Sequence, residues 1–314
     1  MVPFTLRLTT PLTTLLNITH PILLAGMAHC STAPLAAAVT NAGGLGTIGG
    51  LGYSPTQLRE MIHDLKSLLI SRDLPFGVDL ALPAVGGTAR KTNHDYTQGQ
   101  LDALIDVVIE EQAALFVSAV GVPPKHVIDR LHSAGIPVMN MVGHPRHAVK
   151  AFDEGVDIHG IVVAAGGIFD GRGLAAALLL GAESVWVGTR FVASSEAGCS
   201  QMHKEAVVDA DWQDTVRTLV VSGRPLRVRK NEYISDWEGK AEEVNRLCKN
   251  GVVPMEKDFE EGKDVDLPYL MGQVSAIVRD IRPAREIVEG MASEAVEHLG
   301  RVSGFVERGG GSKL

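Results

Sequence analysis

The sequence predicts an α/β protein: a TIM-type (β/α)8 barrel short of one βα unit, with a small appended C-terminal subdomain. Three observations carry that expectation. Apolar, β-branched runs of strand length recur along the first 191 residues, helical patterns fill the spaces between them, and several runs are followed at once by glycine. Continuous apolar strands separated by helices belong to a parallel sheet that is buried on both faces.

In chain order the strand runs are PILLAGM (21–27), GLGTIG (44–49), FGVDLAL (76–82), ALFVSAVG (114–121), IPVMNMVG (136–143), IVVAAGG (161–167) and SVWVGTRF (184–191). Between them, SPTQLREMIHDLKSLL reads as a helix with Ser54 as N-cap and Pro55 in the first helical position, where a missing N–H costs nothing. PKHVIDRLHSAG and DGRGLAAALLLG each stop at a glycine suited to a left-handed C-cap. After about residue 212 the alternation gives way to turns, charges and aromatics in GRPLRVRKNEYISDWEGKAEEVNRL, then to the charged MEKDFEEGKDVD. The expected organisation is a barrel over residues 1–211, an appended subdomain over 212–270, and helices over 271–311. Those helices, GQVSAIVRDI and REIVEGMASEAVEHL, carry apolar residues at helical spacing and should pack back on the barrel.

A length of 314 residues is ordinary for one such barrel with additions, and 45% hydrophobic residues with 34 glycines supply a close-packed interior and its tight turns. The formal charge of −8, with no basic cluster longer than RVRK at 227–230, repels phosphate backbones, so no nucleic-acid partner is expected. Cys30, Cys199 and Cys248 lie far apart without CxxC spacing, so neither a disulfide framework nor a structural metal site is expected. No Asp, Glu, Lys or Arg occurs from Pro21 to Leu58, yet Gly, Ser, Thr, Asn and Pro interrupt every apolar run. No membrane span of about 18 residues is left. Pro3 and Pro11 break up the N-terminus, which does not read as a secretory leader. At the other end Ser312, Lys313 and Leu314 follow a glycine run. This is the tripeptide read by peroxisomal import receptors, so a peroxisomal location and such a receptor as partner are expected.

In parallel α/β architectures the ligand sits at the C-terminal ends of the strands. Gly166 and Gly167 follow one strand and Gly188 and Thr189 follow the next. Glycine turns on neighbouring strands aim backbone N–H groups at one spot, with a helix N-terminus behind them, which suits a phosphate. Taken singly, each motif suits a plain βα turn equally well. Ala25, Gly26 and Met27 end the first strand. Small residues there admit a flat ring, or simply let the first helix pack tightly.

In this order, AGMAHCSTAPLAAAVTNAGGLG and VVAAGGIFDGRGLAAALLLGAESVWVGTRF resemble the nitronate monooxygenases, also called the 2-nitropropane dioxygenase family, which are FMN enzymes on a TIM barrel. The resemblance spans nearly the whole chain. FGVDLALPAVGGTARKTNHDY, LFVSAVGVPP and GRPLRVRKNEYISDWE are similar to fungal members. The resemblance implies FMN without metal, with Ala25, Gly26 and Met27 on the flavin ring system. It also implies Gly166, Gly167, Trp186, Val187, Gly188 and Thr189 on ribityl and phosphate. The implied reaction is reduction of the flavin by a nitronate and its reoxidation by oxygen, so the expected partners are a small-molecule substrate and oxygen.

One departure bears on that chemistry. Members of the family carry, before the strand that matches VVAAGGI, another strand ending in Gln-Gly and a Gly-rich loop with a catalytic His. Here DEGVD runs directly into IHGIVVAAGGI. The resemblance therefore implies the loss of one βα unit, about 30 residues if ~250 are shared among eight units, and with it the Gln and the His. His159 precedes its strand, at the wrong end of the barrel, whereas His29 and His144 follow strands. His144, in MVGHP, is the candidate catalytic base, and the plain alternative is a loop histidine in a turn. A barrel short of a unit either closes with seven strands or leaves a seam with two exposed parallel edges. A truncated gene model, a splice form and a degenerate paralogue all account for the gap. Two other functions compete: an FMN-dependent NAD(P)H reductase of enoyl thioesters or quinones on the same barrel, and an inactive flavin-binding remnant.

Overall fold

The computed structural model describes residues 7–82, 91–92, 94–157 and 161–305. It starts with a short helix, α1 (Pro11–Leu15), opened by a capping box between Thr10 and Thr13. There follow β1 (Ile22–Leu24), α2 (Ala33–Asn41), β2 (Gly46–Gly49), α3 (Pro55–Leu68), β3 (Phe76–Ala81), α4 (Leu101–Glu110), β4 (Leu115–Val120), α5 (Lys125–Ser133) and β5 (Val138–Asn140). The alternation continues through α6 (Pro145–Asp153), β6 (Val163–Ala165), α7 (Gly171–Leu179), β7 (Ser184–Val187), the single turn α8 (Thr189–Val192) and α9 (Gln201–Val208). The expected punctuation is present. Ser54 caps α3 in a reciprocal box with Gln57, and Gly135 and Gly181 follow α5 and α7 at φ +74° and +94°.

β2–β3–β4–β5 form one parallel ladder and β6–β7–β1 another, and a Leu23–Leu45 bridge joins the two. The order round the wall is thus β6-β7-β1-β2-β3-β4-β5, and among the described residues nothing pairs β5 with β6. Alternation with period two gives the wall two apolar faces. Leu23, Leu45, Leu115, Val117 and Trp186 fill the interior together with Leu12 and Leu16. Ile22, Leu24, Ile48, Val78, Phe116, Val185 and Val187 pack outward against the helices. A hydrogen bond of 2.8 Å from the Thr10 hydroxyl to the Glu183 carbonyl ties the α1 end to the start of β7.

Beyond α9 the chain forms an antiparallel hairpin, β8 (Thr215–Thr218) and β9 (Leu226–Arg229), then α10 (Glu232–Glu238), α11 (Ala241–Lys249) and α12 (Pro254–Glu260). These elements share a core of Val220, Val228, Ile234, Trp237, Val244 and Met255. The buried Asp258 is held there by the Trp237 indole N–H (2.9 Å), the Tyr233 hydroxyl (3.0 Å) and Lys263 (2.8 Å). The expected C-terminal helix pair is half right. Gln273–Ile277 is only a 3-10 turn, and the α-helix is α13 (Ala284–Val302). Pro283, just ahead of α13, has no N–H and disfavours a helical conformation in the residue before it, so the two segments cannot merge. α13 packs on α7 and α2. Gly171 lets it come close, since a Cβ there would lie 2.6 Å from the Met291 carbonyl oxygen.

Candidate functional site

The three glycine-bearing strand ends come together. In the register, Leu24 faces Val187 and Ala165 faces Trp186. The Ala25 amide continues the ladder by donating to the Val187 carbonyl at 2.9 Å. Ala25–Met27, Gly188–Thr189 and Gly166–Gly167 are therefore neighbours on one rim. A Cβ built on Gly188 would lie 3.5 Å from the Ala25 Cβ and 3.6 Å from the Met27 sulfur. Gly166 and Gly167 have φ of +89° and +75°, a conformation that side chains resist, and a Cβ on either would meet nothing within 4 Å. Their faces are open, as a ligand cradle requires. The Thr189 hydroxyl accepts from the Gly272 amide at 2.9 Å and keeps its own proton to donate.

The strand alternation sends two of the expected contact residues to opposite faces of the wall. Val187 is fully buried among the outward-facing residues, so its side chain cannot touch a cofactor on the rim, and its carbonyl is engaged by Ala25. Trp186 points the other way, into the barrel interior.

The helix end behind the glycines is not free either. The Asp170 carboxylate accepts from the Gly173 amide at 2.8 Å and Glu294 accepts from the Gly171 amide at 2.7 Å. Arg172 balances Asp170 at 2.8 Å. Two of the first three amides of α7, those of Gly171 and Gly173, are thus satisfied by protein carboxylates. The anion cradle shrinks to the Gly166–Gly167 turn and the Gly188–Thr189 corner. The Asp-Gly-Arg-Gly spacing shows Asp170 as an N-cap in the sequence, but Glu294 arrives from the far end of the chain.

Asp79 is the residue that the sequence reading passed over. It lies on β3 at 3% exposure, and neither of its oxygens makes a hydrogen bond of good geometry. Gly26 lies directly against it: a Cβ on Gly26 would fall 2.3 Å from the Asp79 Cβ and Oδ2. Burial pushes the carboxyl well above the usual range, opposed by the nearby Ala119 backbone. The rim therefore stands over a buried acid whose neutral form is favoured by its burial. Its signal is the single acidic residue in FGVDLAL, an otherwise apolar strand buried on both faces, where an orphaned polar group calls for a reason.

The histidines stand apart from this cluster. His144 is exposed and caps α6, its Nδ1 accepting from the Arg146 amide at 3.2 Å. His29 is exposed in the turn after β1 at φ +57°. His159 falls outside the described residues. Between the unpaired β5 and β6 opens a cavity of about 950 Å³ walled by apolar side chains, among them Leu115, Met139, Phe152, Val163 and Trp186. Asp157 fills one vacant ladder position, accepting from the Val138 amide at 2.8 Å. Among the described residues no cluster of three or more His, Cys, Asp or Glu could hold a metal, and no helix is long and apolar enough to cross a membrane.

The family model for nitronate monooxygenase matches residues 9–161 and 158–294. The chain belongs to that family. Nitronate monooxygenases are oxidoreductases, and a probable member from Staphylococcus saprophyticus is 32% identical over 299 residues, covering 76% of this chain and 83% of that one. Since 76% of 314 residues is about 239, about 60 of those 299 positions face gaps in this chain. FabK from Thermotoga maritima superposes with a TM-score of 0.79 at 32% identity, over 95% of this chain and 100% of its own. Nitroalkane oxidase from Streptomyces ansochromogenes does so with 0.77 at 25% identity, over 93% and 99%. The two matches to the nitronate monooxygenase model meet at 158–161, between α6 and β6.

Proposed function

We propose that this nitronate monooxygenase family member binds FMN on the β6–β7–β1 rim and oxidises a small nitronate with oxygen as acceptor. The observation that carries the proposal is the meeting of three glycine-bearing strand ends, two of whose glycines are left-handed with open space before them. Those features fit the group. Gly166, Gly167, Gly188 and Thr189 would hold phosphate and ribityl, and Ala25, Gly26 and Met27 would back the ring. FMN, when bound, supplies the electron-accepting centre. The chain positions it, shields one face with the β1 turn, and buries the Asp79 carboxyl beneath that turn, where burial favours the protonated form.

We propose further that the opening between β5 and β6 marks a lost βα unit. The unpaired edges, the apolar cavity, the break in the family match at 158–161 and the surplus positions of the staphylococcal relative all support this. A base supplied from that unit would be lost with it. His144, the base that its strand-end position suggested, stands apart from the rim, and slow turnover by a flavin-binding remnant is the second reading. The test is anaerobic mixing of the FMN-loaded protein with propyl nitronate or with NAD(P)H. Bleaching by the nitronate, followed by oxygen uptake on aeration, supports the proposal. Bleaching by NAD(P)H alone supports the reductase, and bleaching by neither supports the remnant. We also propose peroxisomal import through Ser312–Leu314, residues outside the described structure. One residue appended after Leu314 should leave the protein cytosolic, and an unchanged punctate distribution would refute this.

A further inference from the structure

The fold unites two cysteines that are far apart in the sequence. Cys30 lies in the turn after β1, its amide donating to the Met27 carbonyl at 3.1 Å. Cys199 directly precedes Ser200, the N-cap of α9. The two backbones touch: the Gly198 amide donates to the Cys30 carbonyl at 2.9 Å, and a Cβ on Gly198 would sit 2.7 Å from the His29 oxygen. Their thiols are close enough to influence one another, and the Cys199 Sγ also lies 3.8 Å from the Val192 carbonyl oxygen. Cys30 is buried at 4% exposure, whereas Cys199 is half-buried and within reach of a small oxidant. The buried Lys204 ammonium, held on the Ser195 carbonyl at 2.9 Å, contributes positive charge beside Cys199.

We propose that Cys30 and Cys199 are a peroxide-responsive dithiol that closes into an intrachain disulfide. The roles follow from the environment. Interaction with the Cys30 thiol, aided by Lys204, pulls the Cys199 thiol down to about 7. That same interaction and burial push Cys30 up. Cys199 is thus the thiolate and Cys30 the proton-bearing partner. The Cys199 sulfur attacks hydrogen peroxide, breaking the O–O bond. This gives a sulfenic acid on Cys199 and hydroxide, which is protonated to water. Cys30, losing its proton, then attacks the Cys199 sulfur, forms the S–S bond and expels a second water. Two thiols lose two electrons in total and one peroxide gains them. The product pins the Met27–Ser31 turn to the start of α9, whether or not a cofactor is present.

The test exposes the reduced full-length protein to hydrogen peroxide and follows intact mass, free thiols and disulfide-linked peptides, with Cys248 as internal comparison. At neutral pH a thiol titrating near 7 has ~16 times the thiolate fraction of an ordinary one, offset about fivefold by lower nucleophilicity, so Cys199 should react roughly threefold faster. Its rate should fall as the pH is lowered through about 7. The expected product is a monomer two hydrogens lighter that yields a linked Cys30–Cys199 peptide. Cys30→Ser should stop at a dimedone-reactive Cys199, and Cys199→Ser should abolish the fast phase. Preferential oxidation of Cys248, or no linked peptide from the unmodified protein, would overturn the proposal without reliance on any variant.

Discussion

Two parts of the wall, the β7–β1 seam inside the strand order and the facing edges of β5 and β6 at its two ends, are made from similar apolar sequence and finish very differently. Every residue of β7 and β1 is buried, with a strand on each side and helices behind. In β6, VAA is equally apolar yet only partly buried, because one of its edges has no partner. Across the opening α6 buries only Ala151, and Phe152, Met141, Val142 and Val162 stay exposed. Apolar composition thus makes a wall only where a neighbour completes the ladder. The rim that collects the glycines lies mainly on the completed side, at the ends of β7 and β1, and only its Gly166–Gly167 turn comes from the open-edged β6, so a binding site can survive while the wall beside it is open.

The largest effect should come from removing the contrast. A strand, loop and helix from an intact relative inserted after Asp157 should pair both edges and fill the cavity. If a positioned acid/base group returns with it, nitronate turnover should rise by ~10² to 10⁴. Bound flavin should rise, and binding of a hydrophobic dye should fall. Turnover and dye binding unchanged in a folded insertion variant would show that the opening is not what limits the protein.

Next are substitutions on the glycine rim. Gly188 has φ −109°, and a Cβ there would make contacts at 3.5 and 3.6 Å, so the fold should accept Gly188→Ala. Loss of flavin from that variant, at unchanged melting temperature, would report the space that the cofactor needs. Gly167→Val should also release flavin, but its left-handed backbone adds a folding cost of about 1–2 kcal/mol, so it is the less clean probe. Normal flavin content in both would move the site off this rim.

Much of this was legible beforehand, and the exceptions share a cause. Strand runs, the Ser54 cap and the glycine rim are local patterns, and the gap shows as a helix passing almost directly into a strand. What escaped is non-local: Glu294 satisfying the α7 amide, Cys30 meeting Cys199, and Asp79 lying against Gly26. None of these pairs is implied by spacing, because each depends on how the wall curves. Val187 is the opposite case: strict alternation along SVWV allows Trp186 or Val187 to face inward, not both.

Asp79 makes a smaller and sharper difference between the two regions, because it puts a stability cost on the completed side. Its pKa in the folded protein lies above its unfolded value, so its contribution is fully present below the unfolded value and is lost as pH rises through the folded one. Within that window the wild type should lose about 1.4 kcal/mol per pH unit relative to Asp79→Asn. Urea midpoints measured from acid to mildly alkaline pH check this. Parallel profiles would mean that the carboxyl is not protonated in the folded protein.

The smallest expected effect belongs to His144, on the open side. Its Nδ1 serves the Arg146 amide at the start of α6, its ring is exposed, and it does not line the cavity between β5 and β6. A general base must reach the proton it removes, and a side chain engaged as a cap in a weakly buried helix is poorly placed to do so. His144→Ala should therefore cost about 1 kcal/mol through the lost cap, read as a slight fall in the urea midpoint. Flavin reduction by nitronate should stay within about twofold, against the 10² or more expected for removal of a working base. His144→Asn, which restores a cap acceptor, separates the two roles: it should recover the midpoint and leave the rate alone. A rate that collapses in both variants while the midpoint recovers in Asn would make His144 the base, and the open side would then be catalytic.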